Sequence, residues 1–191
     1  MLKIYTLFMG LITLWATPTY AEINKNFKED FKQSFLSCAI ITSEHLTVLQ
    51  LYQRGLPKEL AIESLPNITR AAKERVKYVY DLAKKIGILN AYADINTNFA
   101  RCATMVRQVN GIPAADLKEY QYYFCSGENK IRFEALLMAN QGTKPPELLA
   151  AFPRKYAATV INLYQLIASR GMLAAFDLTA NNLKSCLNQI N

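Results

Sequence analysis

A chain of 191 residues that is 51% apolar and 19% charged is long enough to bury a substantial core, and its composition matches neither a disordered nor a fibrous protein. Its formal net charge of +7, from 22 basic and 15 acidic side chains, reads as scattered along the sequence. That argues against nucleic-acid binding, which gathers basic residues and aromatics into a stripe, and leaves a basic surface complementary to an acidic partner or an anionic envelope.

At the start of the chain, Lys3 precedes an apolar run from Ile4 to Ala16 and a small-residue exit at Thr19-Tyr20-Ala21, the pattern of a secretory signal peptide over residues 1–21, cleaved before Glu22. The run is shorter than the roughly 20 residues a spanning helix needs, and no second such run follows. No membrane span is therefore expected, and the mature chain is predicted to be periplasmic or secreted. Four cysteines in an exported chain predict two disulfides, in one of three connectivities. There is no Cys-x-x-Cys, and lone cysteines beside one histidine make poor zinc ligands.

Apolar residues at helical spacing from Phe31 to Leu49 predict a first helix, stopped at Gly55. Pro57 opens a short helix to Leu65, broken by Pro66-Asn67. A third helix, capped by Thr69, runs to Gly87, and a fourth carries Leu89, Tyr92, Ile95, Phe99 and Cys102 to the Asn110-Gly111-Ile112-Pro113 turn. Beyond that seam a helix from Ala114 leads to Cys125, with a break expected at Ser126-Gly127. Further helices follow over Ile131–Ala139, after Pro145-Pro146, over Arg154–Arg170 and over Leu173–Ile190. No alternating strand pattern is present.

The stretch from Cys38 to Cys102 recurs between Cys125 and Cys186. Aligned on the opening cysteines, Leu49 meets Leu136 and Gly55 meets Gly142, with a proline and a Glu-Leu pair after each glycine (Glu59-Leu60, Glu147-Leu148). Aligned on the closing cysteines, Arg70 meets Arg154, Val76 meets Val160, Tyr80 meets Tyr164, Gly87 meets Gly171 and Ala91 meets Ala175. The expected fold is all-α: two tandem, internally duplicated helical units, over 22–110 and 111–191, each closed by one disulfide and packed as one body. Duplication favours the pairs Cys38 with Cys102 and Cys125 with Cys186 among the three connectivities.

Chemistry-bearing patterns are sparse. His45 lies on the face of Cys38, Thr42 and Leu49, and its equivalent is Arg132, so it reads as a packed residue. Glu59 and Glu147 sit where an acid favours a helix dipole, and Asn67-Ile68-Thr69, a sequon by pattern, serves a turn and cap. Phosphate loops, nucleophile elbows and zinc-protease motifs are absent. No catalytic, metal-ligating or cofactor-binding residue and no cofactor is expected. Arg70, Lys73, Lys77 and Lys84 form a basic stripe down the third helix, a solvated or partner-binding face. Their counterparts are Arg154, Ala157, Ile161 and Ala168, in a helix apolar nearly all round. Such a helix either packs centrally or exposes a patch, which makes Ala157, Ile161 and Ala168 a candidate partner or ligand surface.

The landmarks Cys38, Arg54-Gly55, Ala91-Tyr92, Phe99 and Cys102 resemble a pattern in short exported helical proteins of Gram-negative bacteria, in which an opening and a closing cysteine bracket one small domain. In the second unit Gln141 replaces the arginine and Phe176 the tyrosine. The resemblance implies a compartment and a fold, not an activity. The run Asn98-Phe99-Ala100-Arg101-Cys102 is similar to helical periplasmic immunity proteins that block type VI secreted amidases, which implies a protein partner. The expected function is that of an exported non-catalytic protein acting by protein contact, as an inhibitor or immunity factor. A carrier of a small apolar or lipid ligand is the alternative, and an enzyme of unrecognised type the third.

Overall fold

The computed structural model describes residues 33–65 and 68–189; the predicted signal segment, Phe31, Pro66 and Asn67 fall outside them. The described residues are all-α, with no strand among them. They form α1 (Phe35–Gln53), α2 (Lys58–Glu63), α3 (Arg70–Ile86), α4 (Ile88–Asn110), α5 (Lys118–Asn140), α6 (Pro145–Ala151) and α7 (Ala157–Asn188), with a 3-10 turn at Arg154–Tyr156 before α7.

Local chemistry sets most of the boundaries. Ser34 and Ser37 close a reciprocal capping box on α1. The Thr69 hydroxyl accepts the Ala72 amide at 3.1 Å at the start of α3. Gly87 ends α3 and starts α4 with φ 81° and ψ 157°, and Gly171 splits α7 in the same way with φ 83° and ψ 166°. That region of backbone space is essentially glycine-only. An added Cβ would meet nothing within 4 Å at either site, so Gly87→Ala or Gly171→Ala isolates the backbone term. Each is expected to lower stability by about 1–3 kcal/mol in urea unfolding.

One expected boundary is absent. α5 passes through Ser126-Gly127 without a break, and the Ser126 hydroxyl donates to the Tyr123 carbonyl at 2.6 Å. Cys125, Ser126 and Asn129 are all buried, and that packing outweighs the roughly 1 kcal/mol a helical glycine costs. The helix also begins at Lys118 rather than Ala114, which lies in the exposed connection 111–117.

The central element is α1, which is apolar on all sides and packs against α2, α3, α4, α5 and α7. Of the two arrangements open to the apolar helix over 157–168, central packing or an exposed patch, its arm of α7 has the second, with Ile161 43% exposed. Both disulfides are present, Cys38–Cys102 between α1 and α4 and Cys125–Cys186 between α5 and α7. Each half thus has a long helix, a short one and two more long ones, with its cross-link joining the first to the last.

Finer features recur at the same offsets. The Tyr80 hydroxyl donates to the Leu56 carbonyl at 2.7 Å, and Tyr164, its counterpart, donates to the carbonyl of Thr143. Val76 and Val160, Ala91 and Ala175, and Tyr92 and Phe176 are all buried, and the last pair stacks across the halves with centroids 5.8 Å apart. In the short helices the buried residues are Ala61 and Leu148, while Leu60 is exposed. The packing register is therefore one residue away from the Glu-Leu match in the sequence.

Candidate functional site

Two open grooves lie at equivalent places in the halves. The larger, of about 360 Å³, runs along the outer side of α1 and is lined by Leu36, Ile40, Thr47, Leu51 and Leu65, with Tyr122 of α5 and Leu187 of α7 at its edge. The smaller, of about 310 Å³, is lined by Glu134, Leu137, Met138 and Gln141 of α5 and by Ala151 and Phe152 at the end of α6. Thr47 and Glu134, Leu51 and Met138, and Leu65 and Phe152 stand at the offset that separates Cys38 from Cys125. In both halves the groove forms where the first helix carries apolar residues on the side away from its disulfide and the short helix ends beside it.

The side chains of α1 explain the larger groove. Leu36, Ile40, Thr47 and Leu51 follow helical spacing, so they fall on one side of α1, while Leu46 and Leu49 on the other side are fully buried. Ile40 is 56% exposed, which is unusual for isoleucine on the most enclosed helix of a fold. Glu44 also lines the groove, and its carboxylate accepts from the Arg75 side chain at 2.9 Å. At the mouth, the Leu36 amide donates to the Glu119 carboxylate at 3.1 Å, which fixes the start of α1 against the first turn of α5.

The ionisable groups with perturbed behaviour do structural work. His45 is buried against Tyr78, with ring centroids 5.6 Å apart, and its Nε2 has no hydrogen-bond partner among the described residues. Burial, and then the Arg75 guanidinium, lower its pKa to about 4. A second cluster ties the halves together. The buried Gln50 amide donates to Asp177 Oδ1 at 2.7 Å and to Asn181 Oδ1 at 3.0 Å, and Lys184 donates to Gln50 Oε1. The Tyr92 hydroxyl donates to Gln53 Oε1 at 2.9 Å and lies 3.3 Å from Asp177. Burial raises the Tyr92 pKa and lowers that of Lys184. Deeper still, Asn129 donates to Asn96 at 2.8 Å, joining α5 to α4. Sequence periodicity marks these positions only as polar interruptions, and nothing local shows that they converge.

Ala157, Ile161 and Ala168 share one flank of α7; Ile161 and Ala168 are exposed and Ala157 is half-buried. They line neither groove. Arg70, Lys73, Lys77 and Lys84 are all exposed on α3. The positive charge is not scattered as expected, because α3 holds six basic residues and two acidic ones, a surplus of four within the formal +7. Ion pairs temper it: Lys77 lies 2.9 Å from Glu74, and Lys58 of α2 lies 3.4 Å from Asp81. No helix among the described residues is long and apolar enough to cross a membrane. No protein-family model, curated protein or solved structure matches the chain.

Proposed function

We propose that the protein is an exported, non-catalytic binding protein that receives an amphipathic helix of a partner protein in the groove along α1, in the manner of an inhibitor or immunity factor. The observation that carries this reading is the row Leu36, Ile40 and Leu51 left open along the most enclosed helix of the fold, because a groove with apolar anchors at helical spacing is a recognised seat for a helix. Two disulfides that join the first and last helices of each half support a rigid scaffold and an oxidising compartment. Rigidity lowers the ordering cost of association.

The same groove, at about 360 Å³, falls in the size range of small-molecule sites. It therefore also supports the second reading, a carrier of a small apolar ligand.

The test is affinity capture from envelope extract with the wild type and with Ile40→Glu and Ile161→Lys. Both substituted side chains are exposed, so both variants are expected to unfold within about 0.5 kcal/mol of the wild type. A stoichiometric protein lost only with Ile40→Glu supports the groove; loss only with Ile161→Lys moves the site to the α7 flank. Empty captures, together with an acyl ligand retained in native mass spectrometry, would establish the carrier instead.

A further inference from the structure

Of the eleven large apolar residues exposed among the described residues, four lie at one end of the chain's central hairpin: Met105, Val109, Ile112 and Leu117. They belong to neither groove. Their location follows from the helix pairing. The Cys38–Cys102 bond and the hydrogen bond from Tyr92 to Gln53 make α1 and α4 antiparallel, so the last two turns of α4 reach the start of α1. The bond from Leu36 to Glu119 brings the first turn of α5 to that same end. The connection 111–117 therefore caps one end of the helices, and it carries apolar side chains where a connection is ordinarily polar.

Exposure there is extensive: Val109 is 83% exposed, Ile112 60% and Leu117 54%. Scattered single apolar residues on a surface need no explanation, but a contiguous group does. Arg101 and Arg107 on α4 and Lys118 at the start of α5 flank the group and are exposed. The facing carboxylates are Asp116, which is exposed, and Glu119, which is engaged by the Leu36 amide.

We propose that this hairpin end is a membrane-contact surface, which inserts Val109, Ile112 and Leu117 into the interfacial region of an anionic bilayer while Arg101, Arg107 and Lys118 meet the headgroups. A protruding apolar tip with flanking cations suits a soft, laterally fluid surface, in which each side chain finds its own depth. A protein partner of comparable affinity requires a shaped counterpart with buried anchors and satisfied polar groups. The proposal is independent of the α1 groove. It would hold the protein on a membrane with that groove still open.

The test is co-sedimentation of the chain from Glu22, without the predicted signal segment, with vesicles containing phosphatidylglycerol and with vesicles of phosphatidylcholine alone. Binding is expected to the anionic vesicles and to be at least about tenfold weaker to the neutral ones, which offer the three cations no anionic headgroups. Ile112→Asp/Leu117→Asp should reduce vesicle binding at least about tenfold, with an unchanged unfolding midpoint, because both positions are exposed. In Ile112→Trp, the emission added to that of the parent chain should shift to the blue when anionic vesicles are present. Absence of binding, equal binding by the double variant, or an unshifted reporter overturns the proposal. So does a concentration-dependent dimer, formed without lipid and abolished by the double variant, which would assign the surface to contact between copies.

Discussion

Removal of either disulfide is expected to cost the fold about 4 kcal/mol in chain-entropy terms, because the bonds close loops of 64 and 61 residues and their loss returns that freedom to the unfolded chain. Few single interactions in a domain of this size match that value, against a total stability of about 5–15 kcal/mol. The Cys38→Ser/Cys102→Ser and Cys125→Ser/Cys186→Ser pairs should each lower the urea midpoint strongly. Because α1 contacts helices of both halves, each variant should still unfold in one transition. The within-half pairing has a direct signature. Cleavage in the exposed connection 111–117, followed by a denaturing gel without reductant, should release two fragments, since no covalent bond crosses the seam. Halves that migrate together would contradict the pairing, and two separated urea transitions would contradict the shared core.

Much of this fold was legible in the sequence because its signals are local. Gly55, Gly87, Gly111, Gly142 and Gly171 all adopt positive φ at helix ends marked by where the apolar period stops. Thr69 caps α3 as its side chain predicts. The cysteine pairs followed from spacing and repetition. What failed depended on packing between elements. Ser126-Gly127 reads as a break by propensity, yet the burial of Cys125 and Asn129 keeps α5 continuous. The all-round apolar pattern of 157–168 fits either central packing or an exposed patch, and it is the exposed arrangement that the structure has, with Ile161 at the surface and α1 at the centre. Alanines at 157, 158 and 168 are small enough to remain at the surface at little cost, whereas Leu46 and Leu49 are not. The groove along α1 was not legible either, since Ile40 is indistinguishable by sequence from its buried neighbours. The groove's other walls, Leu65, Tyr122 and Leu187, come from distant parts of the chain.

The sharpest pH dependence should come from His45, the one histidine in the chain. In the unfolded protein its imidazole titrates near 6.5. In the fold, burial first and the Arg75 guanidinium second lower its pKa to about 4. Between those values the unfolded chain binds a proton that the folded chain refuses. Its contribution is therefore fully present above about pH 6.5 and is lost as pH falls toward 4. At 1.36 kcal/mol per pKa unit the loss by about pH 4 is roughly 3 kcal/mol. Relief is not available locally: Glu44, the carboxylate next in sequence, is held by Arg75 at 2.9 Å, and Tyr78 presents its ring to the imidazole while its hydroxyl lies 3.3 Å from Asp94. His45→Phe keeps a ring of similar size against Tyr78 and removes the titration, along with the unpartnered Nε2. Its stability near pH 7 should equal or exceed that of the wild type. The difference between the two proteins in urea unfolding should widen steadily from about pH 6.5 to about pH 4.5. Above about pH 5 few other side chains titrate, so the widening there belongs to His45. Parallel stability curves across that range would show that the imidazole takes up its proton in the fold as readily as in water, and that α1 and α3 part enough to admit solvent.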